Sequence, residues 1–217
     1  MKRTRIIILL VFAVGLLSAC AHMTGSQTGA SASPVIDRIV TRGELVVGTA
    51  GNMPPLNMTT KEGEIIGMEP DLARYMADAM GVTLRFEPIP FGELLSALEA
   101  GKVDMVMSGM TIIPERNLKV AFVGPYFISG KAFLTKAKTI ASVKDASDIN
   151  SPDFTLAVLQ GSTSKLFVEE AMPRAYLVAT KDYDEAVDLV IQGKVDALVA
   201  DYPICLVSLL RHPYEDL

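Results

Sequence analysis

Apolar positions along the chain follow two alternating rhythms. Short runs of aliphatic and β-branched residues predict strands: Leu45-Val46-Val47-Gly48-Thr49, then residues 82–86, 103–107, 154–159, 175–179 and 195–200. Between these runs the apolar residues recur at steps of three and four. Leu72, Ala73, Met76, Ala79 and Met80 form one such stripe, which predicts a helix over 70–80 that Gly81 stops. Leu94, Leu95 and Leu98 lie on one side of a helix over 91–100, closed by Gly101. The same pattern predicts helices over 162–171 and 183–192. Strands alternating with helices predict an α/β fold with mostly parallel sheets.

One stretch of this pattern occurs twice. Leu98-Glu99-Ala100-Gly101-Lys102-Val103-Asp104 and its apolar strand are echoed by Val190-Ile191-Gln192-Gly193-Lys194-Val195-Asp196. The offset of roughly ninety residues is the size of a lobe rather than of a solenoid repeat. The echo is either a recurrent helix–turn–strand solution, since glycine ends many helices, or the mark of two similar α/β lobes. In the second case the strand ends would face a shared cleft, the usual ligand position in open α/β sheets.

The amino end has a different pattern. Lys2, Arg3 and Arg5 precede an apolar run over residues 6–17, followed by Leu17-Ser18-Ala19-Cys20. The run is shorter than the ~20 residues needed to span a bilayer. A basic start, a short apolar core and small residues predict a secretory signal. Leu-Ser-Ala-Cys resembles the bacterial lipobox, which implies a signal over 1–19 and lipidation at Cys20. Residues 21–34 are mainly Ala, Ser, Thr and Gly and predict a flexible tether over 20–34. Cys205, set among Ile204, Leu206 and Val207, is expected to be buried as a small apolar residue.

Composition narrows the function. The chain has 217 residues, half of them hydrophobic, and a net charge of −5, which argues against a nucleic-acid binder. Two cysteines and two histidines (His22, His212) offer little for a disulfide framework, a zinc module or a histidine-based triad. The methionines sit in ordinary core patterns and do not suggest a metal site. No cofactor is expected.

Three places could together hold one small zwitterion. Arg116 follows the first echoed strand, within Ser108-Gly109-Met110-Thr111-Ile112-Ile113-Pro114-Glu115-Arg116. A guanidinium grips a carboxylate through two parallel bonds, although a loop arginine can equally be solvated. Gln160-Gly161-Ser162-Thr163-Ser164 joins a strand to a helix, where free backbone N–H groups favour an anion; an ordinary helix cap explains the same residues. Asp201 ends the second echoed strand and could accept an ammonium, or cap the helix that begins at Tyr202-Pro203. Ser162-Thr163-Ser164-Lys165 fits the Ser-x-x-Lys of penicillin-binding enzymes, but the partner motifs Ser-Asp-Asn and Lys-Thr-Gly are absent.

These stretches, with Pro54-Pro55-Leu56, the run from Gly63 to Ala73, Pro90-Phe91-Gly92-Glu93-Leu94, Ile113-Pro114-Glu115-Arg116 and Gly124-Pro125-Tyr126-Phe127, resemble family 3 of the bacterial extracellular solute-binding proteins. The likeness spans about residues 37–205. It implies a two-lobed α/β fold of the periplasmic-binding-protein type II, with one lobe over 35–127 and the other over 128–217, closing on a ligand like a trap. It further implies a monomeric, periplasmic, membrane-anchored receptor that delivers a free amino acid to an ABC permease in the inner membrane. Arg116 would hold the ligand α-carboxylate, with Ser162 and Thr163 adding donors. Asp201, Thr111 and the Gly109 carbonyl would take the α-ammonium. Phe91 would stack on the ligand side chain opposite Met53, above a floor at Ser108.

Two departures qualify the resemblance. Members that bind basic or amide side chains carry an acidic residue where Ala50 stands, which disfavours a cationic ligand, and the family's usual threonine is Ile113 here. The family also continues well past the position of Asp201, so a C-terminal part of the fold, and with it some stability, is expected to be missing from these 217 residues. The related cyclohexadienyl dehydratases suggest an enzyme on the same scaffold, for which Glu93 and Lys165 are the available acid–base residues. A sensor for a membrane signalling partner is a third possibility.

Overall fold

The structure, a computed structural model, describes residues 33–217. The leader expected over 1–19, the lipidation expected at Cys20 and the expected tether up to residue 32 lie outside the described residues.

Helix α1 (Pro34–Arg42) ends at Gly43, whose positive φ of 74° turns the chain into strand β1 (Glu44–Thr49). Leu45, Val46 and Val47 are all buried, as expected of a strand covered on both faces. A small antiparallel excursion follows, formed by β2 (Asn52–Met53), β3 (Asn57–Thr59) and β4 (Ile65–Ile66). Helix α2 (Met68–Met80) then returns the chain to β5 (Thr83–Pro88), which pairs parallel with β1. Gly81 ends α2 in the left-handed conformation and donates to Ala77 and Asp78, so the predicted stop is a true C-cap. A 3-10 turn (Phe91–Glu93) leads into α3 (Leu94–Glu99), and β6 (Met105–Val106) completes a parallel sheet in the order β5-β1-β6.

Helix α4 (Pro114–Asn117) is followed by an exposed segment and a second sheet. Its elements are β7 (Lys131–Thr135), α5 (Ala137–Ile140), α6 (Ala146–Ile149), β8 (Thr155–Leu159), α7 (Thr163–Ala171), β9 (Tyr176–Thr180), α8 (Tyr183–Ile191), β10 (Ala197–Asp201) and α9 (Tyr202–Arg211). The strand order is β7-β10-β8-β9, parallel except for β7, which runs antiparallel to β10. Strand β7 has no counterpart among the expected strands. Its sequence is short, only Leu134 is fully buried, and its pairing at the sheet edge decides its conformation. The strand expected over 103–107 shrinks to Met105–Val106, and the helix expected over 91–100 opens with a 3-10 turn.

The echoed motif has a structural explanation. Gly101 and Gly193 both take positive φ, 68° and 67°, which only glycine adopts without strain. The aspartate three residues later then clamps the neighbouring strand twice. Asp104 donates its N–H to Val46 O at 2.9 Å, and its carboxylate accepts from Val46 N at 2.9 Å. Asp196 does the same to Thr155, at 2.9 Å and 2.8 Å. Each sheet therefore registers its central strand with the same helix–glycine–aspartate device.

A continuous apolar seam joins the two sheets. Met53 of β2, Phe91 of the 3-10 turn and Leu94 of α3, beside the first sheet, pack in one cluster with Leu134, Leu159 and Leu198 of the second sheet and Tyr183 and Val187 of α8. Cys205 lies in this cluster, and burial, helped by nearby Asp201, pushes its thiol up to about 11. The neutral thiol is thus a small apolar residue, as its surroundings in the sequence suggested. Among the described residues no helix is long and apolar enough to cross a membrane.

Candidate functional site

The carboxyl ends of the strands converge. β1 ends at Thr49, β6 runs into Ser108-Gly109, β8 into Gln160-Gly161, and β10 ends at Asp201. Beside them lies a cavity of about 470 Å³ lined by Leu56, Gly109, Thr111, Lys131, Thr163 and Asp201, among others. Four of the nine nominated residues (Gly109, Thr111, Thr163 and Asp201) therefore line it, and the other five pack outside its lining.

Arg116 sits in α4, whose start is fixed by Pro114 in the first turn. It is only 8% exposed. Nη1 donates to Thr111 O at 2.9 Å and Nη2 to Gly161 O at 3.0 Å, so this side chain reaches from one sheet's loops to the other's. The guanidinium lies 5.8 Å from the centre of the Phe91 ring, a cation–π distance. Burial lowers its pKa from the ordinary value, yet an arginine stays charged in a protein. Among the described residues no carboxylate stands within ion-pair distance of it.

The other nominated groups divide by what already holds them. Ser108 is fully buried; its Oγ accepts from Ala50 N at 2.9 Å and donates to Met53 Sδ at 3.8 Å. Ser162 caps α7 by accepting from Lys165 N at 3.2 Å. Met53 and Phe91 belong to the buried seam. Thr111 Oγ1 and Thr163 Oγ1 share a hydrogen bond of 3.2 Å across the cleft. Asp201 is already paired: its Oδ1 accepts from Lys131 Nζ at 2.7 Å, and the same ammonium donates to Thr163 Oγ1 at 2.9 Å.

Two residues of the candidate site escaped the sequence reading. Lys131 is one; its role depends on the β7–β10 register, which leaves no periodic trace. Glu69 is the other. It is completely buried in the first turn of α2, where the helix dipole favours a carboxylate. Its oxygens accept from Asn57 Nδ2 at 2.5 Å, from Gly109 N at 2.6 Å and from the Tyr126 hydroxyl. Burial and the Glu69 carboxylate push the Tyr126 phenol above its ordinary range, so it remains a donor. A signal did exist. Glu69, Ala73 and Ala77 follow at steps of four on the buried face of α2, where a charged residue is out of place.

The two halves of the site meet at glycines. Gly161 has φ 76°, and a Cβ built there would lie 3.1 Å from Gly92 Cα. Gly161→Ala is expected to lower unfolding stability by about 1–2 kcal/mol, because an L residue is strained at that φ and the facing backbone cannot yield cheaply. Urea denaturation of the two proteins checks this. An unchanged midpoint would mean that the turn relaxes.

Comparison with known proteins follows the same lines. Residues 45–146 match the profile of the bacterial extracellular solute-binding proteins, family 3. The chain is 30% identical over 215 residues to a probable histidine-binding protein of Campylobacter jejuni, a match covering 98% of this chain and 79% of that protein. It is 27% identical over 195 residues to a cyclohexadienyl dehydratase of Pseudomonas aeruginosa, covering 90% and 73%. Among solved structures, an ancestral amino-acid-binding protein described as a precursor of cyclohexadienyl dehydratase superposes with a TM-score of 0.78 at 36% identity, over 82% of this chain and 78% of that one. These neighbours share the two-lobed α/β fold that the paired sheets describe. The chain belongs to family 3 of the bacterial extracellular solute-binding proteins.

Proposed function

We propose that this chain is the periplasmic receptor of an ABC importer, and that it takes an amino acid or a closely related small carboxylate between its lobes, which part near residues 127–128. The observation that carries this reading is Arg116. A buried guanidinium with two carbonyl acceptors and no carboxylate partner among the described residues keeps three of its five N–H donors for an incoming anion. Thr111 and Thr163 bring a hydroxyl from each side of the cleft. Opening about the lobes would release Gly161 O and expose the guanidinium, and closing on a ligand would restore the seam. Relatives named for histidine and arginine binding support an amino-acid-like ligand. Attachment through a lipidated Cys20 would hold such a receptor near its permease.

A dehydratase relative favours one other reading, an enzyme on this scaffold. The acid–base candidates give it little support. Glu93 is exposed, and Lys165 is tied to Glu169 one turn along α7. A thermal-shift screen with the twenty amino acids and their 2-oxo and 2-hydroxy analogues, followed by calorimetry, tests the receptor reading. The expected outcome is a raised melting temperature with a small set of ligands and no consumption of any of them. Turnover of prephenate or arogenate would assign the chain to the enzymes instead.

A further inference from the structure

The register of β7 and β10 sets Lys131 directly opposite Asp201. Directly opposed residues of an antiparallel pair present their side chains on one face, close enough to interact. Lys131 Nζ lies 2.7 Å from Asp201 Oδ1 and 2.9 Å from Thr163 Oγ1, with both charged side chains partly open to the cavity. Asp201 therefore already holds an ammonium, supplied by the protein itself.

We infer that the cleft selects a carboxylate whose α position bears an oxygen acceptor, a 2-oxo or 2-hydroxy acid, rather than an α-ammonium. This rests on the reading above that Arg116 takes the carboxylate. A ligand ammonium would have to compete for Asp201 with a cation fixed beside it by the strand ladder, and such a tethered competitor acts at high effective concentration. The charges point the same way. Once opening exposes Arg116, which packs behind the cavity lining in this structure, Arg116, Lys131 and Asp201 together leave one positive charge on the cleft, which a zwitterion does not balance and a simple carboxylate does. Glu69 does not alter this sum at the ligand, because it is sealed from solvent and answered by three donors. The hydrogen-bonding inventory agrees as well. An ammonium has three N–H donors, and Lys131 spends two of them on Asp201 and Thr163. The third requires an acceptor, which an α-keto or α-hydroxyl oxygen supplies and an ammonium cannot. Lys131, Thr163, Thr111 and Arg116 form a hydrogen-bonded chain across the cleft, so both ends of such a ligand meet cationic donors.

Matched series test this by calorimetry: L-leucine with its 2-oxo and 2-hydroxy acids, L-phenylalanine with phenylpyruvate and phenyllactate, and L-glutamate with its 2-oxo and 2-hydroxy counterparts. The expected result is that, in whichever series binds, an oxygen analogue binds at least as tightly as the amino acid. Lys131→Met should then move the ratio by about tenfold or more toward the amino acid, and Lys131→Arg should leave it unchanged. Should Lys131→Met fail to fold, Asp201→Asn provides the second arm, with binding of the oxygen analogue retained. Preference of the unaltered protein for the amino acid by about tenfold or more would overturn the inference and leave the receptor reading intact. Absence of binding in every series, or binding that Arg116→Ala leaves untouched, would overturn the carboxylate reading itself.

Discussion

Arg116→Ala is expected to lower ligand affinity by a factor of about one hundred or more, beyond detection for a ligand held in the micromolar range. A hydrogen bond to a charged group contributes about 1.5–3 kcal/mol, and a carboxylate held by a guanidinium makes two. Losing about 3–6 kcal/mol corresponds to two to four decades in the dissociation constant. The site makes the upper part of that range reachable. The guanidinium is nearly sealed from water and lies against the Phe91 ring, so its interaction with an anion is poorly screened. Arg116→Lys should recover little, because an ammonium cannot span both carbonyls and the anion at once. Isothermal titration with the ligand from the screen checks both variants. Affinity within a factor of about three of the parent would remove Arg116 from the binding machinery.

The second large effect is on stability. Glu69→Ala should lower the unfolding free energy by roughly 2–5 kcal/mol, as a shift of the guanidinium chloride midpoint at unchanged slope. The carboxylate is a single acceptor for three donors from separate parts of the chain: Asn57 on β3, the Gly109 amide beside the cavity and the Tyr126 hydroxyl. Asn57 is itself completely buried, so its orphaned amide would have no water to turn to. A buried donor left without a partner costs about 1–3 kcal/mol, and the part-buried Gly109 and Tyr126 donors cost less each, against a total of about 5–15 kcal/mol for an ordinary domain. Glu69→Gln keeps the shape and one acceptor oxygen and should cost clearly less. A midpoint within experimental error of the parent for Glu69→Ala would show that the three donors find other partners. Because Gly109 and Tyr126 also line the cavity, the same substitution should weaken ligand binding indirectly.

Most elements could be read from the sequence because their signals are local. The stripe of Leu72, Ala73, Met76 and Met80 with Gly81 behind it leaves one conformation for that stretch, and α2 has it. The runs at 45–49 and 155–159 are too apolar and too β-branched for an exposed position. The repeated glycine–lysine–valine–aspartate was equally visible, although its purpose was not. That purpose is the paired clamp of Asp104 on Val46 and of Asp196 on Thr155, a contact between residues far apart in the chain. The elements that escaped, β7 above all, have weak patterns of their own and acquire their conformation from a neighbour.

The site was legible as residue types but not as partnerships. Motif position suggested Ser108 and Ser162 as ligand contacts, yet both hydroxyl oxygens accept from backbone amides, at Ala50 and Lys165. Asp201 was recognisable as a carboxylate at a strand end, while its ion pair with Lys131, seventy residues away, was not. Sequence alone determined the alternation of strands and helices, the capping glycines, the apolar setting of Cys205 and the order of the motifs, since each follows from side chains a few positions apart. Only the tertiary structure decided which charges face one another: Lys131 on Asp201, Glu69 among three donors, Arg116 with no carboxylate among the described residues. Those pairings depend on ladder register and on the approach of two sheets, and neither is encoded in the spacing of residues along one segment.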